Sequence, residues 1–264
     1  MSSPDVSSPA AGWVGGPIAL GVWLTMREPV LAEHSARLGY DYACVDMQHG
    51  FCEYGDVATM LHALSAGSTV PIVRVPVNEP SIIGRVLDLG ALGVIVPMVD
   101  DAQDARRAVA ACRYPPAGER SFGPLAARVR HGEDYAETAD QRVLCLPMIE
   151  TARAVENIEA ILSVPGVDGA YVGPADLSLS MGLRPGMDLD RPQIRAAVEA
   201  VAEACGRNGQ VAGTHVRPDQ VAAAAAAGLH MATVGGDLNP VLAALREAIA
   251  QAREGRLPEG RARP

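Results

Sequence analysis

The sequence predicts a single (β/α)8 barrel. Two observations carry that expectation. Eight short β-rich runs alternate with eight helix-length amphipathic segments. The chain has 264 residues, and barrels of this kind typically use about 250 as one unit. Most of the runs are almost continuously apolar, as parallel strands covered on both faces must be. A doubly wound open sheet is the alternative. It is weakened because no GxGxxG opens a helix after the first strand.

The elements follow in order. Residues 1–16, "MSSPDVSSPAAGWVGG", read as a flexible Ser/Pro/Gly tail. They lack the basic start and continuous apolar stretch of a secretory signal. The barrel is expected over 17–254. Its strands are "IALGVWL" (18–24), "YACVDMQ" (42–48), "PIVRVP" (71–76), "GVIVPMV" (93–99), "VLCLPMIE" (143–150), "GAYVGPAD" (169–176), "QVAGTHV" (210–216) and "HMATVGG" (230–236). Helices are expected over 28–38, 56–66, 80–89, 101–112, 153–162, 190–207, 218–227 and 239–254. Several open at an N-cap residue or proline (Pro29, Asp56, Ser81, Pro218), and several close at glycine (Gly39, Gly67, Gly90, Gly228). Residues 113–142 interrupt the rhythm as a long excursion, a kind of segment that is often functional. Residues 255–264 read as a second flexible tail.

Composition narrows the function. Apolar residues make up 48 % of the chain and charged residues 20 %, which suits a large core. A net charge of −9 argues against nucleic acid and against an anionic membrane surface. No stretch approaches the roughly 18 apolar residues of a membrane span. Five scattered cysteines without a CxxC pair read as reduced cytosolic thiols, and they predict a cytoplasmic location and no zinc site. All 22 basic residues are arginine, so an internal lysine Schiff base is excluded.

In such a barrel the site lies at the C-terminal ends of the strands. Strand two ends in Asp46, Gln48 and His49. Strand three carries Arg74, strand five ends in Glu150, strand six runs into "VGPAD" with Asp176, and strand seven carries His215. Strands four and eight end blandly. Glu150 and Asp176 sit on adjacent strand ends. Two facing carboxylates repel unless a cation or proton intervenes, and a hard divalent cation suits them. The alternative is that each caps a helix or pairs with an arginine. An Asp46 carboxylate bonded to one nitrogen of His49 would fix the tautomer and raise the basicity of the other nitrogen. The alternative is a loop histidine and an aspartate that caps a helix. Arg74, in an otherwise apolar strand, either stabilises a substrate oxyanion or pairs with Glu150 or Asp46. His215 either lines the cavity or merely finishes its strand.

Together these residues resemble a known family. "VDMQHG", "VRVP", "LGALGVIVPMV", "YPPAGERSFGP", "MIETARAVENIEAI" and "GVDGAYVGPADLSLSMG" resemble the HpcH/HpaI family of class II pyruvate aldolases, typified by 4-hydroxy-2-oxoheptanedioate aldolase. The likeness runs from about residue 17 to 254. It implies a (β/α)8 barrel of the phosphoenolpyruvate/pyruvate superfamily. It implies a divalent cation (Mg²⁺, Mn²⁺ or Co²⁺) held by Glu150 and Asp176 and chelated by pyruvate. Arg74 would touch the keto or enolate oxygen, and Asp46 and His49 would form an acid–base dyad. The backbone at Gly173, Pro174 and Ala175 would hold the carboxylate. Gln48 and Met148 would border the substrate; they stand where many members have glutamate and some have glutamine. The reaction implied is cleavage or formation of 4-hydroxy-2-oxo acids from a pyruvate enolate and an aldehyde, by a hexamer built as a trimer of dimers. Two rivals use the same residues: an oxaloacetate decarboxylase or specialised biosynthetic C–C bond-forming enzyme, and a non-catalytic barrel that binds 2-oxo acids.

Overall fold

The computed structural model describes residues 8–187 and 189–253. The expected C-terminal tail, 255–264, and residues 1–7 of the N-terminal one lie outside the described residues. Eight parallel strands close into a barrel in sequence order: β1 (Ala19–Leu24), β2 (Tyr42–Asp46), β3 (Val70–Arg74), β4 (Gly93–Val96), β5 (Leu144–Ile149), β6 (Gly169–Val172), β7 (Val211–His215) and β8 (Met231–Gly236). The helices are α1 (Pro9–Trp13), α2 (Pro29–Ser35), α3 (Tyr54–Leu64), α4 (Pro80–Asp88), α5 (Ala102–Cys112), α6 (Leu125–His131), α7 (Tyr135–Arg142), α8 (Ala152–Glu156), α9 (Ile158–Leu162), α10 (Pro174–Ser180), α11 (Pro192–Asn208), α12 (Val221–Ala226) and α13 (Leu238–Arg253). The expected (β/α)8 barrel is the fold.

The period of two along each strand sorts the side chains into two cores. Odd and even positions of β2 illustrate it. Ala43 and Val45 face the helices and join the larger core with Val57, Met60, Leu61 and Leu64, one stripe of α3. Tyr42 and Cys44 face the barrel axis and pack with Ile72, Ile95, Leu146, Tyr171 and Met231. Extending the inward series by two residues reaches the C-terminal rim at Asp46 on β2, Arg74 on β3, Gly173 after β6 and His215 on β7. The same alternation that builds the interior therefore aims these polar groups at the barrel mouth.

Two aromatic rings fill the interior, and glycines make room for them. A Cβ on Gly21 of β1 would lie 2.1 Å from the Tyr42 ring, and one on Gly213 of β7 would lie 2.9 Å from the Tyr171 ring. Below them Trp13 of α1 is buried, its ring 5.8 Å from Tyr42. The stretch expected as a tail thus contributes a helix and a plug for the N-terminal end of the barrel.

Several element boundaries differ from expectation for local reasons. The run 169–176 is a strand only to Val172; Pro174, pre-set for a first helical turn, starts α10. The helix expected over 153–162 breaks at Asn157 into α8 and α9. The excursion 113–142 is a pair of helices anchored by buried arginines. Arg120 meets Asp88 at 2.7 Å and lies 4.6 Å over the Tyr114 ring. Arg113 holds Asp168 at 2.6 Å and the Val143 and Gly166 carbonyls at 2.7 and 2.8 Å.

Candidate active site

A cavity of about 600 Å³ opens at the C-terminal rim. That volume suits two small reactants held together. Asp46, His49, Arg74, Met148, Gly173, Pro174, Ala175 and Asp176 all line it. Glu150 and Gln48 do not. Glu150 is 1 % exposed and lies just behind the wall made by Gly173 and Met148.

Arg74 and Asp46 form a fork. Register places them directly opposite each other on β3 and β2. Arg74 Nε donates to Asp46 Oδ1 at 2.8 Å and Nη2 donates to Oδ2 at 2.5 Å. Asp46 also accepts from Trp23 Nε1 at 3.1 Å and from the backbone N–H groups of Gln48 and His49 at 3.0 and 3.3 Å. Burial alone would raise the Asp46 carboxyl. The Arg74 hydrogen bonds and charge, with the Trp23 and Gln48 donors, outweigh it and hold the group below its ordinary value. The guanidinium carbon lies 5.1 Å from the Trp23 ring centroid. Among the described residues Nη1 meets only the Met148 sulfur, at 3.9 Å, so it keeps donor capacity on the cavity side.

This corrects one expectation. The Asp46 carboxylate takes no hydrogen bond from the His49 imidazole. It binds the His49 backbone N–H instead, because Arg74, Trp23 and two amides already occupy its lone pairs. The His49 ring is exposed at the rim, with no hydrogen-bond partner among the described residues. Gln48 does not line the cavity, and its Oε1 is buried without a hydrogen-bond partner among the described residues.

Glu150 has the opposite environment. Oε1 accepts from the Met98 N–H at 2.7 Å. Oε2 is buried and has no hydrogen-bond partner among the described residues. Burial raises the Glu150 carboxyl. The Met98 N–H and Arg74 oppose that, the charges of Asp176 and Asp100 add to it, and the net shift is upward. Asp176 lies in the first turn of α10, half-buried and facing the cavity. Gly173 lets the Glu150 side chain pack against the backbone that leads into Asp176: a Cβ there would sit 2.9 Å from Glu150 Oε2 and 2.8 Å from Met148 Cε.

Among the described residues no group of three or more His, Cys, Asp or Glu side chains is arranged to hold a metal ion. Two carboxylates close enough for their charges to interact, one of them with an orphaned buried oxygen, nonetheless fit a hard cation. Such an ion takes one or two carboxylates and fills its remaining positions with water and substrate oxygens.

Residues 19–244 match the HpcH/HpaI aldolase/citrate lyase family. The chain belongs to this family. Among curated relatives, a hydroxypyruvate/pyruvate aldolase of Rhizorhabdus wittichii is 40 % identical over 91 % of this chain and 96 % of its own length. Among solved structures, an HpcH/HpaI aldolase/citrate lyase family protein from Burkholderia cenocepacia superposes with a TM-score of 0.84 at 33 % identity, covering 92 % of this chain and 98 % of that one. The citrate synthase SbnG superposes at 0.83 with 28 % identity, covering 95 % and 99 %. The family is one of lyases and aldolases, and relatives that align with most of this chain are named aldolases.

In this HpcH/HpaI aldolase family member, two features of the rim were invisible in the strand-end residues. The loop after β4 holds Met98, which has a positive φ of 54° and donates its N–H to Glu150. β8 leads into Asp237, which accepts from Thr25 Oγ1 and the Met26 N–H, each at 2.7 Å, and so ties the loop after β1 to α13. His215 lines the cavity, its ring centroid 4.5 Å from that of Trp23. The period-two pattern of β7 carries the signal for His215. Nothing local marks Met98 or Asp237.

Proposed function

We propose that this chain is a divalent-metal-dependent aldolase that cleaves and forms 4-hydroxy-2-oxo acids, using the enolate of pyruvate or a related 2-oxo acid and an aldehyde. The observation that carries the reading is the buried Glu150 Oε2, unpartnered among the described residues, packed against Gly173 in a carboxylate that feels the charge of Asp176. Glu150 and Asp176 would hold the cation, whether Mg²⁺, Mn²⁺ or Co²⁺. When bound, such an ion supplies Lewis acidity toward a keto oxygen.

The chain's own groups divide the remaining work. Arg74 is held rigid by Asp46, and its Nη1 donates to the keto oxygen of the acid and to the negative charge that develops there. Asp46 is a positioning residue, acting through the guanidinium. The backbone at Gly173, Pro174 and Ala175 holds the substrate carboxylate. Met148 packs beneath Arg74 and supplies an apolar wall. His49, at the exposed rim, moves the proton between the C4 hydroxyl and solvent. With no lysine in the sequence, the electrons released by C–C cleavage go to these positive groups rather than to an imine.

A homohexamer, built as a trimer of dimers that exchange the last helix, belongs to the same proposal. It is supported by α13, which buries none of its residues and exposes Val241, Leu245 and Ile249. Among the described residues no helix is long and apolar enough to cross a membrane. The five cysteines are free and buried, in keeping with a cytoplasmic enzyme.

A second reading keeps the enolate but changes what traps it. It is favoured by the likeness to SbnG, a citrate synthase, and includes oxaloacetate decarboxylation and specialised biosynthetic C–C bond formation. One experiment addresses both readings. Pyruvate methyl protons are followed by NMR in D₂O with the protein, then with chelator, then after add-back of each cation. Exchange that stops in chelator and returns on add-back is expected. Full exchange in chelator overturns the metal, and absence of exchange throughout overturns the enolate. Product analysis with oxaloacetate, with and without aldehydes, then separates the two readings.

A further inference from the structure

Asp237 stands where β8 gives way to α13, and no role assigned above uses it. It lines the cavity and is 6 % exposed. Three neutral donors meet its oxygens. Thr25 Oγ1 and the Leu238 N–H each donate to Oδ1 at 2.7 Å, and the Met26 N–H donates to Oδ2 at 2.7 Å. The Asp237 N–H in turn donates to the Trp23 carbonyl at 3.2 Å. One residue thus grips the end of β1 and the turn that follows it. Only a side chain that accepts at both ends can take all three donors, so asparagine, with a single oxygen, cannot replace it in full.

What this grip holds lies after β2. The Thr25 carbonyl accepts the Phe51 N–H at 2.7 Å, and the Met26 carbonyl accepts the Cys52 thiol at 3.7 Å. The two turns approach closely at Gly50. A Cβ there would lie 2.2 Å from the Asp46 carbonyl oxygen and 3.0 Å from that of Thr25, so only glycine fits. His49 is the residue just before. Its N–H reaches Asp46 Oδ1 at 3.3 Å. Its ring is exposed, with no hydrogen-bond partner among the described residues. The imidazole is therefore aimed by its backbone. That backbone is fixed on two sides, by Asp46 before it and by Thr25 after it.

A ring that moves a proton must stay within hydrogen-bond reach of the group it serves, about 3 Å. A misplacement of about 1 Å can cost about 10²-fold in rate. We propose that Asp237 is a positioning residue for His49, acting through Thr25; this rests on the role given to His49 under Proposed function. The Asp237 carboxylate holds the turn after β1, the Thr25 carbonyl holds Phe51, and the His49 ring is kept at the cavity mouth. Asp237 thereby acts on the proton step without touching the C4 hydroxyl. The rim has two such braces on opposite sides of β2: Asp46 holds Arg74 from within the sheet, and Asp237 holds the loop of His49 from β8.

The test has one arm that reads structure and one that reads chemistry. Amide hydrogen exchange of the full-length protein follows the Phe51 N–H. It should be protected in the wild type and exchange roughly 10-fold faster or more in Asp237→Asn and in Thr25→Val. Protection should return in Thr25→Ser, which restores the hydroxyl. Equal protection in all four proteins overturns the proposal, whatever reaction the site performs. In the second arm, cleavage of 4-hydroxy-2-oxopentanoate is measured with Mn²⁺ present, for the wild type, Thr25→Val, His49→Gln and the double variant. Thr25→Val should lower kcat roughly 10-fold or more with little change in KM, and Thr25→Ser should recover most of it. In the His49→Gln background the same substitution should cost nothing further, because the two residues act as one unit. An equal loss in both backgrounds makes the Asp237–Thr25 contact a general brace of the fold and overturns the proposal. Wild-type rates in His49→Gln defeat the role given to His49, and the proposal falls with it. Absence of cleavage by the wild type, with Phe51 released by Thr25→Val as expected, defeats the aldolase reading and leaves the brace standing.

Discussion

Asp46 and Glu150 are both carboxylates, both 1 % exposed and both at strand ends of one rim, yet the chain treats them oppositely. Both Asp46 oxygens are engaged, by a guanidinium fork, an indole N–H and two amides. Its charge is satisfied from within the protein, and its acidity rises. Glu150 receives one amide on one oxygen, and its other oxygen is packed against Gly173 with no hydrogen-bond partner among the described residues. Its charge is left incomplete, and its acidity falls. Asp46 therefore belongs to the scaffold that holds Arg74 still. Under the proposed function, Glu150 belongs to a site that a bound cation would complete.

The largest test of this contrast removes the guanidinium. Arg74→Ala leaves a buried Asp46 without its counter-charge, which typically costs about 3–5 kcal/mol of stability. It also removes the donor proposed to meet the oxyanion, a loss typically worth about 10²–10³ in kcat. A depressed melting temperature together with near-abolished turnover is expected. Wild-type rates would remove Arg74 from the chemistry.

Glu150→Gln should separate the two carboxylates more sharply. Added Mg²⁺ or Mn²⁺ should raise the melting temperature of the wild type, and at 100 times its Kd a ligand of the folded state adds about 2.7 kcal/mol. The variant should lose that response. Without added cation it should melt no lower than wild type, since a neutral amide replaces an unpaired buried charge. A variant that still responds fully to the cation would move the site away from Glu150.

The smallest effect concerns pH. The Asp46 carboxyl is held below its unfolded value of about 3.9. Its ionised form is therefore favoured in the folded state. The stability it contributes is present above the unfolded value and is lost as pH falls through the lower folded value. The stability difference between wild type and Asp46→Asn should be constant near neutrality and shrink only in that acid range. Urea titrations at stepped pH read it directly. A difference that declines from pH 7 downward would mean the carboxyl is not held by the fork.

The parts of the fold and site that were legible share one property: they show in a few adjacent residues. Buried parallel strands must be apolar on both faces, so β1 to β8 stand out as runs. Arg74 stands out because a charge in such a run demands a partner. Glu150 and Asp176 follow from where their strands end. The choice between partners was not legible. Asp46 has His49 three residues away and Arg74 twenty-eight away, and nearness in sequence favours the wrong one. Strand register puts Arg74 directly opposite, where its fork fits both oxygens. Trp13 was hidden for a similar reason. A Ser/Pro/Gly context reads as a tail until the open end of a barrel is there to receive an indole.

By itself the sequence determined the barrel, the count and order of its strands, the rim on which polar groups gather and, through the absence of lysine, the kind of electron sink available. Those properties depend on periodicity and composition, which any stretch of chain displays before it folds. Tertiary structure alone decided that Asp46 serves Arg74 rather than His49, that one Glu150 oxygen stays unpaired, and that Asp237 grips Thr25, whose carbonyl holds the loop of His49. Each of these depends on which atoms come within about 3 Å across the closed sheet, and closure brings together residues that no local pattern connects.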